Sequence, residues 1–180
     1  MSQRANFELA SPVSPADHSL GPPQAQVTLV EYGDFECPSC KQAAPVVKLL
    51  LEKFAGRMRL VFRHSPLEEV HPHALGAAQA AEAAAGQGKF WQMHDLLFEN
   101  QHHLKPQQLR GYALKLELDM VRYDAEIGDE VYLQRVREHE ESARRSGVRA
   151  TPTFFINGKL HDVSYGIQAL AEGVEAALKR

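Results

Sequence analysis

A short apolar run, Val27, Leu29 and Val30, opens the patterned part of the chain, and its β-branched residues predict a buried strand. Apolar positions follow at Ala43, Val47, Leu50, Leu51 and Phe54, spaced i, i+4, i+7, i+8 and i+11, which predicts a helix from Pro38 to Phe54. Pro45 falls inside that helix, where its missing amide proton and the crowding of its ring against the preceding turn predict a kink. Met58 to His64, MRLVFRH, predicts a second strand, closed by Ser65-Pro66.

From His71 to Ser146 the spacing is helical throughout. Ala74 to Ala85 is the firmest segment, because alanine is the best helix former. Gly86-Gln87-Gly88 interrupts it, and FWQMHDLLFE, LRGYALKLEL and RVREHEESARR resume the pattern. In the last of these, Arg137 with Glu141 and Glu140 with Arg144 stand at i,i+4 spacing, which predicts a solvated, ion-paired face. Thr153 to Asn157 returns to strand, and Asn157-Gly158 is a hairpin signal leading into a further strand. Ile167, Leu170, Ala171, Val174 and Leu178 then line a closing helix.

Residues 1–24, rich in Ser, Pro and Gln and ending at Gly21-Pro22-Pro23, read as a flexible lead-in. The organisation expected is therefore a core from 25–66 and 147–180, interrupted by an inserted helical subdomain over 67–146. With 180 residues, 44% of them hydrophobic, the chain can bury a sizeable core as one embellished domain. A net charge of -3, with both signs mixed in the local runs, argues against a nucleic-acid partner. No stretch approaches the ~20 apolar residues of a membrane span. The first residues lack the apolar centre of a secretory leader. The expected location is thus cytoplasmic, or periplasmic if a leader is missing.

The chain has two cysteines, Cys37 and Cys40. They could be a structural clip, half of a metal site, or a redox pair. A clip closing so short a loop would constrain little chain entropy, and a reducing compartment would not preserve it. Zinc takes four ligands, and a lone CxxC offers two; His71-Pro72-His73 and His102-His103 are the nearest thing to a second pair, so no metal and no other cofactor is expected. A redox pair fits the position between strand and helix. Cys37 would stand at the helix N-terminus, where unpaired amides and the helix dipole favour a thiolate. Free cysteine titrates near about 8.5, and cysteines in this setting reach roughly 3.5 to 7.5. Cys40, one turn further on, would be the more buried, resolving thiol.

Four separated features carry a family resemblance: EYGDFECPSCK, with Pro38 inside the motif; Pro45 in the helix; GVRATPT (Gly147 to Thr153) followed by FFING; and the helical block between the second strand and that loop. Over residues 20–180 the chain resembles the thioredoxin superfamily, and more closely its DsbA-like thiol-disulfide oxidoreductases. The resemblance implies an α/β thioredoxin-like fold with a helical insertion, and disulfide exchange with protein or peptide clients, with glutathione or a reductase as electron partner. It makes Cys37 the nucleophile and Cys40 the resolver. It places Pro152 in a cis-proline loop, where a residue without an amide proton can lie beside a thiolate, and gives the Thr151 backbone to strand addition by an extended client. Glu31, six residues before Cys37, matches the family's buried acid, a candidate proton relay. Asp34 and Glu36 are expected to be exposed. Ser39 stands where strongly oxidising DsbA proteins carry histidine, which predicts a less oxidising pair, reductase-like or isomerase-like.

Arg63 and His64 end the second strand, where binding groups collect in open α/β sheets. His71, His73 and His94 read as cap or packing residues, and Phe90, Trp91, Leu97 and Phe98 as anchors of the helical block or the floor of a client groove. Three other readings stand beside exchange in the cytosol. They are a periplasmic oxidase, a glutathione-dependent kappa-type transferase or isomerase, and a non-enzymatic module whose disulfide state gates a partner.

Overall fold

The computed structural model describes residues 7–180. Its strands are β1 (His18–Leu20), β2 (Val27–Gly33), β3 (Met58–His64), β4 (Thr153–Ile156) and β5 (Lys159–His161), in the sheet order β1-β3-β2-β4-β5. Its helices are α1 (Pro38–Lys53), α2 (Ala74–Ala85), α3 (Phe90–Glu99), α4 (Pro106–Lys115), α5 (Met120–Gly128), α6 (Leu133–Arg145) and α7 (Gln168–Leu178). The chain divides into two units. A sheet unit runs to Gly33 and takes in Gln42–Arg63 and Glu141–Arg180, and a helical unit holds Asp34–Lys41 and His64–Glu140. The division departs from the expected boundaries at one place that matters: the cysteine segment, 34–41, groups with the helices rather than with the sheet.

In the sheet unit β2 is buried along nearly its whole length, which is why it reads as a continuous apolar run rather than an alternating one. It pairs antiparallel with β4, with Glu31 opposite Phe154 and Tyr32 opposite Thr153. β4 and β5 form the predicted hairpin, and Asn157 and Gly158 both take the positive φ that its tight turn needs (48° and 81°). Val30, Tyr32, Val61, Ala143 and Phe155 form a core cluster, on which Leu9, Val13 and Val148 pack. The Tyr32 hydroxyl lies 2.6 Å from Ser142 Oγ, so the ring is buried without stranding its polar end. α7 packs on β2 and β4 through an apolar face that includes Leu170, Val174 and Leu178.

The stretch expected to be a flexible lead-in, residues 1–24, contains a strand. His18–Leu20 is the edge strand, antiparallel to β3 with His18 opposite Phe62. Three residues are too few to show alternation. What secures the segment is Arg63, whose guanidinium meets Asp17 at 2.8 and 3.0 Å and donates to the carbonyls of Ser11 and Pro12. Residues 1–6 of the expected lead-in lie outside the described residues.

In the helical unit the alanines of α2 are mostly buried, and their small size lets α3, α4 and α5 all pack against one helix. Pro106 opens α4, where its missing amide proton costs nothing, and the Asp119 side chain caps α5 by accepting from the Arg122 amide. On α6 the ion pairs form at i,i+3, Arg137 with Glu140 and Arg144 with Glu141, in place of the predicted i,i+4 pairs; Arg137 also meets Glu68. Both spacings lie on one helix face, so rotamer choice decides between them. Among the described residues, no helix is long and apolar enough to cross a membrane.

Candidate active site

The CPSC segment sits where strand gives way to helix. Pro38 is the first residue of α1, and the Cys37 carbonyl accepts the Lys41 amide at 3.2 Å, an opening helical bond. Cys37 is 6% exposed and Cys40 fully buried, while Pro38 and Ser39 are exposed. Neither sulfur is in a disulfide. The first turn of α1 carries no acidic side chain, so nothing on the helix itself opposes a negative charge at its N-terminus.

Asp34 is the hub of this loop, and it is buried, contrary to the exposure expected of it. Its Oδ1 accepts the Glu36 amide at 2.7 Å, and its Oδ2 accepts the Leu67 amide at 2.9 Å and His71 Nδ1 at 2.7 Å. Its backbone reaches both cysteines: the carbonyl accepts the Cys37 amide at 3.1 Å, and the amide donates to Cys40 Sγ at 3.5 Å. Glu36 is half-buried, with Oε2 accepting the His73 amide at 2.7 Å, so it too is engaged rather than free in solvent. Both carboxylates find backbone donors on the stretch before α2, which local spacing does not display.

Gln101, between α3 and α4, was not singled out in the sequence, yet its buried amide donates to the carbonyls of Phe35 (2.9 Å) and Cys37 (2.8 Å). Phe35 packs among His64, His94 and Phe98, with centroids 5.0 to 5.9 Å away. His94 thus has the packing role expected of it, and its Nδ1 also meets Asp95 at 2.9 Å. His73 is the N-cap residue of α2, though its side chain makes no capping bond. His64 is fully buried: Nε2 meets Glu82 Oε1 at 2.8 Å, and its ring stacks on His139, whose Nδ1 accepts the His64 amide. Arg135 holds the other Glu82 oxygen at 2.9 Å. The imidazole and the guanidinium thus each hold one oxygen of this buried carboxylate.

The other candidates lie in the sheet unit. Glu31 is buried on β2, and a Cβ added at the neighbouring Gly33 would stand 2.5 Å from the Phe62 ring, so only glycine fits beside it. Thr151 is buried, and the Thr151-Pro152 bond is cis. Arg63 is not free to serve a ligand. Burial works against its charge, but hydrogen bonds to Asp17 and Tyr32 outweigh that and hold its pKa above the ordinary value.

A family model described as thioredoxin matches residues 13–176. Among solved structures, the chain is similar to oxidised BdbD from Bacillus subtilis, with a TM-score of 0.84 and 24% identity, covering 97% of this chain and 100% of that one. It is also similar to a thioredoxin-like oxidoreductase from Silicibacter pomeroyi, with a TM-score of 0.80 and 26% identity, covering 93% and 95%. Among curated relatives, it is 50% identical over 172 residues to the Na(+)/H(+) antiporter NhaA 1 of Salinispora arenicola, covering 95% of this chain and 26% of that protein. The chain spans about a quarter of the length of the curated relatives it matches.

Proposed function

The chain belongs to the thioredoxin family, with the fold of its DsbA-like members, and we propose that it exchanges thiols and disulfides with protein clients through Cys37 and Cys40. The observation that carries this reading is the placement of the pair: Cys37 stands immediately before α1, its carbonyl accepting the Lys41 amide, and Cys40 Sγ accepts an amide hydrogen from the loop before it. Both features favour sulfur carrying negative charge.

In the reducing direction, the Cys37 thiolate attacks a client disulfide, forming a mixed disulfide and expelling one client thiolate, which takes up a proton. Cys40 then loses its proton and attacks Cys37 Sγ, releasing the second client thiol. Two electrons pass to the client, and the protein is left with a Cys37-Cys40 disulfide for a dithiol or glutathione to reduce. Glu31 is assigned the Cys40 proton, and Thr151 and Pro152 the extended client backbone. Ser39 in place of a histidine supports a reductase-like or isomerase-like balance, suited to the cytoplasm.

The test is the reduction potential of the pair, with insulin disulfide reduction as the activity. A potential near the cytosolic poise with insulin turnover lost in Cys37→Ser is expected, whereas one well above that poise makes the protein an oxidase and reverses the assigned direction. Full glutathione-dependent activity in Cys40→Ser would favour the kappa-type reading, and no turnover of any disulfide would favour the gating module.

The curated relatives favour a second reading. Proteins carrying this domain as about a quarter of their length are named Na(+)/H(+) antiporters, and in this reading such a membrane protein is the client, with the redox state of the pair biasing transport. Antiport in vesicles carrying the relatives' transporter should then differ between dithiol and disulfide forms of the domain; equal rates would remove this reading.

A further inference from the structure

We infer that His71 sets the redox balance of the Cys37-Cys40 pair through Asp34, as a positioning residue acting on the loop rather than on the sulfurs. The inference rests on the thiol-disulfide reading above. His71-Pro72-His73 has no part in that reading, yet the His71 ring donates to a fully buried carboxylate whose own residue binds both cysteines.

Asp34 is fixed from three sides: the Glu36 amide on Oδ1, and the Leu67 amide and His71 Nδ1 on Oδ2. A buried carboxylate is stable only while donors surround it. Those donors therefore fix where the Asp34 backbone points, and its amide points at Cys40 Sγ. An N–H donated to sulfur strengthens as the sulfur gains negative charge, so the contact favours the reduced, thiolate-bearing form. Of the three donors to the carboxylate, His71 is the one side chain. Without it, Oδ2 keeps one backbone donor. Less of the negative charge at Asp34 is then balanced, and the loop is held less firmly. Both changes disfavour a thiolate beside it, so the reduced form loses stability and the pair becomes easier to oxidise.

Equilibration with glutathione reads this directly. Oxidation of the two thiols releases two electrons and two protons, which convert one glutathione disulfide to two molecules of glutathione. His71→Ala should shift the equilibrium constant toward the protein disulfide by about threefold to tenfold, tenfold being about 30 mV for a two-electron couple. His71→Asn, whose amide can donate to the same oxygen, should stay within about twofold of the parent, and His71→Ala made in an Asp34→Asn background should add less than about twofold. A parent-like constant in His71→Ala, an equal shift in His71→Asn, or the same shift with Asp34→Asn would each overturn the inference. If His71→Ala does not fold, His71→Leu carries the same expectation. A parent chain whose cysteines never equilibrate with glutathione would instead refute the thiol-disulfide reading itself.

Discussion

Arg63 in the sheet unit and Asp34 in the helical unit are both buried charges with several partners, but the partners differ in kind. Arg63 gathers Asp17, two backbone carbonyls, Tyr32 and Ser142, and none of these belongs to the cysteine segment. It clamps the segment from Ser11 to Asp17 to a strand. Asp34 gathers the Glu36 and Leu67 amides and His71, and its own backbone binds both cysteines. The same expense of burying a charge thus secures chain path in one unit and shapes the cysteine segment in the other. The partners tell the two uses apart, and burial alone does not.

The largest effect expected follows from removing the Arg63 counter-charge. Asp17→Ala leaves a guanidinium that is 3% exposed without its paired carboxylate, and breaking a buried pair from one side costs about 3–5 kcal/mol. Urea unfolding should show that loss, with β1 released from β3, while the glutathione equilibrium constant stays within about twofold of the parent. A redox shift as large as that of His71→Ala would erase the distinction between the two clusters.

Asp17 also shows what the sequence could and could not display. β2, α1 and the β4-β5 hairpin were legible because their signals are local: an apolar run, a 3.6-residue period and Asn157-Gly158. CPSC and the Thr151-Pro152 loop were legible as short motifs, although the roles of Cys37, Cys40, Glu31, Thr151 and Pro152 still rest on the resemblance. β1 was missed because its anchor, Asp17 with Arg63, spans 46 residues. Asp34 was read as exposed because its partners Leu67 and His71 lie 33 and 37 residues on, and Gln101 went unseen because its Phe35 contact spans 66. Polar contacts of that reach leave no period in the sequence.

A second, smaller effect separates the units by pH. Tyr123 on α5 is buried, and burial pushes its phenol up to about 12 from the ordinary 10.0. The folded state therefore holds this proton more tightly than the unfolded chain does. Its contribution is complete below pH 10.0 and is lost as pH rises toward about 12, which amounts to roughly 2–3 kcal/mol. Arg63, held above its ordinary value, keeps its charge over the same range. Urea titrations at successive pH values should show the alkaline decline in the parent, and Tyr123→Phe should flatten it. An undiminished slope in Tyr123→Phe would assign the decline to another group.

Gln101 stands between the two cases, since it is neutral, buried, and yet bonded to the cysteine segment. Its amide holds the carbonyls of Phe35 and Cys37, and the second of these also accepts the Lys41 amide, so α1 keeps that bond when Gln101 is cut back. Gln101→Ala should then cost about 1–2 kcal/mol, the ordinary penalty for a lost buried hydrogen bond. Because no charge is added or removed near the sulfurs, the glutathione equilibrium constant should move less than it does in His71→Ala. Hydrogen exchange should be faster at the amides of Cys37 to Lys41, where the loop enters the helix. Unchanged exchange there would show that the Asp34 contacts hold the loop without Gln101; a redox shift matching His71→Ala would show that loop position is sufficient to set the potential without a change in the charge balance at Asp34.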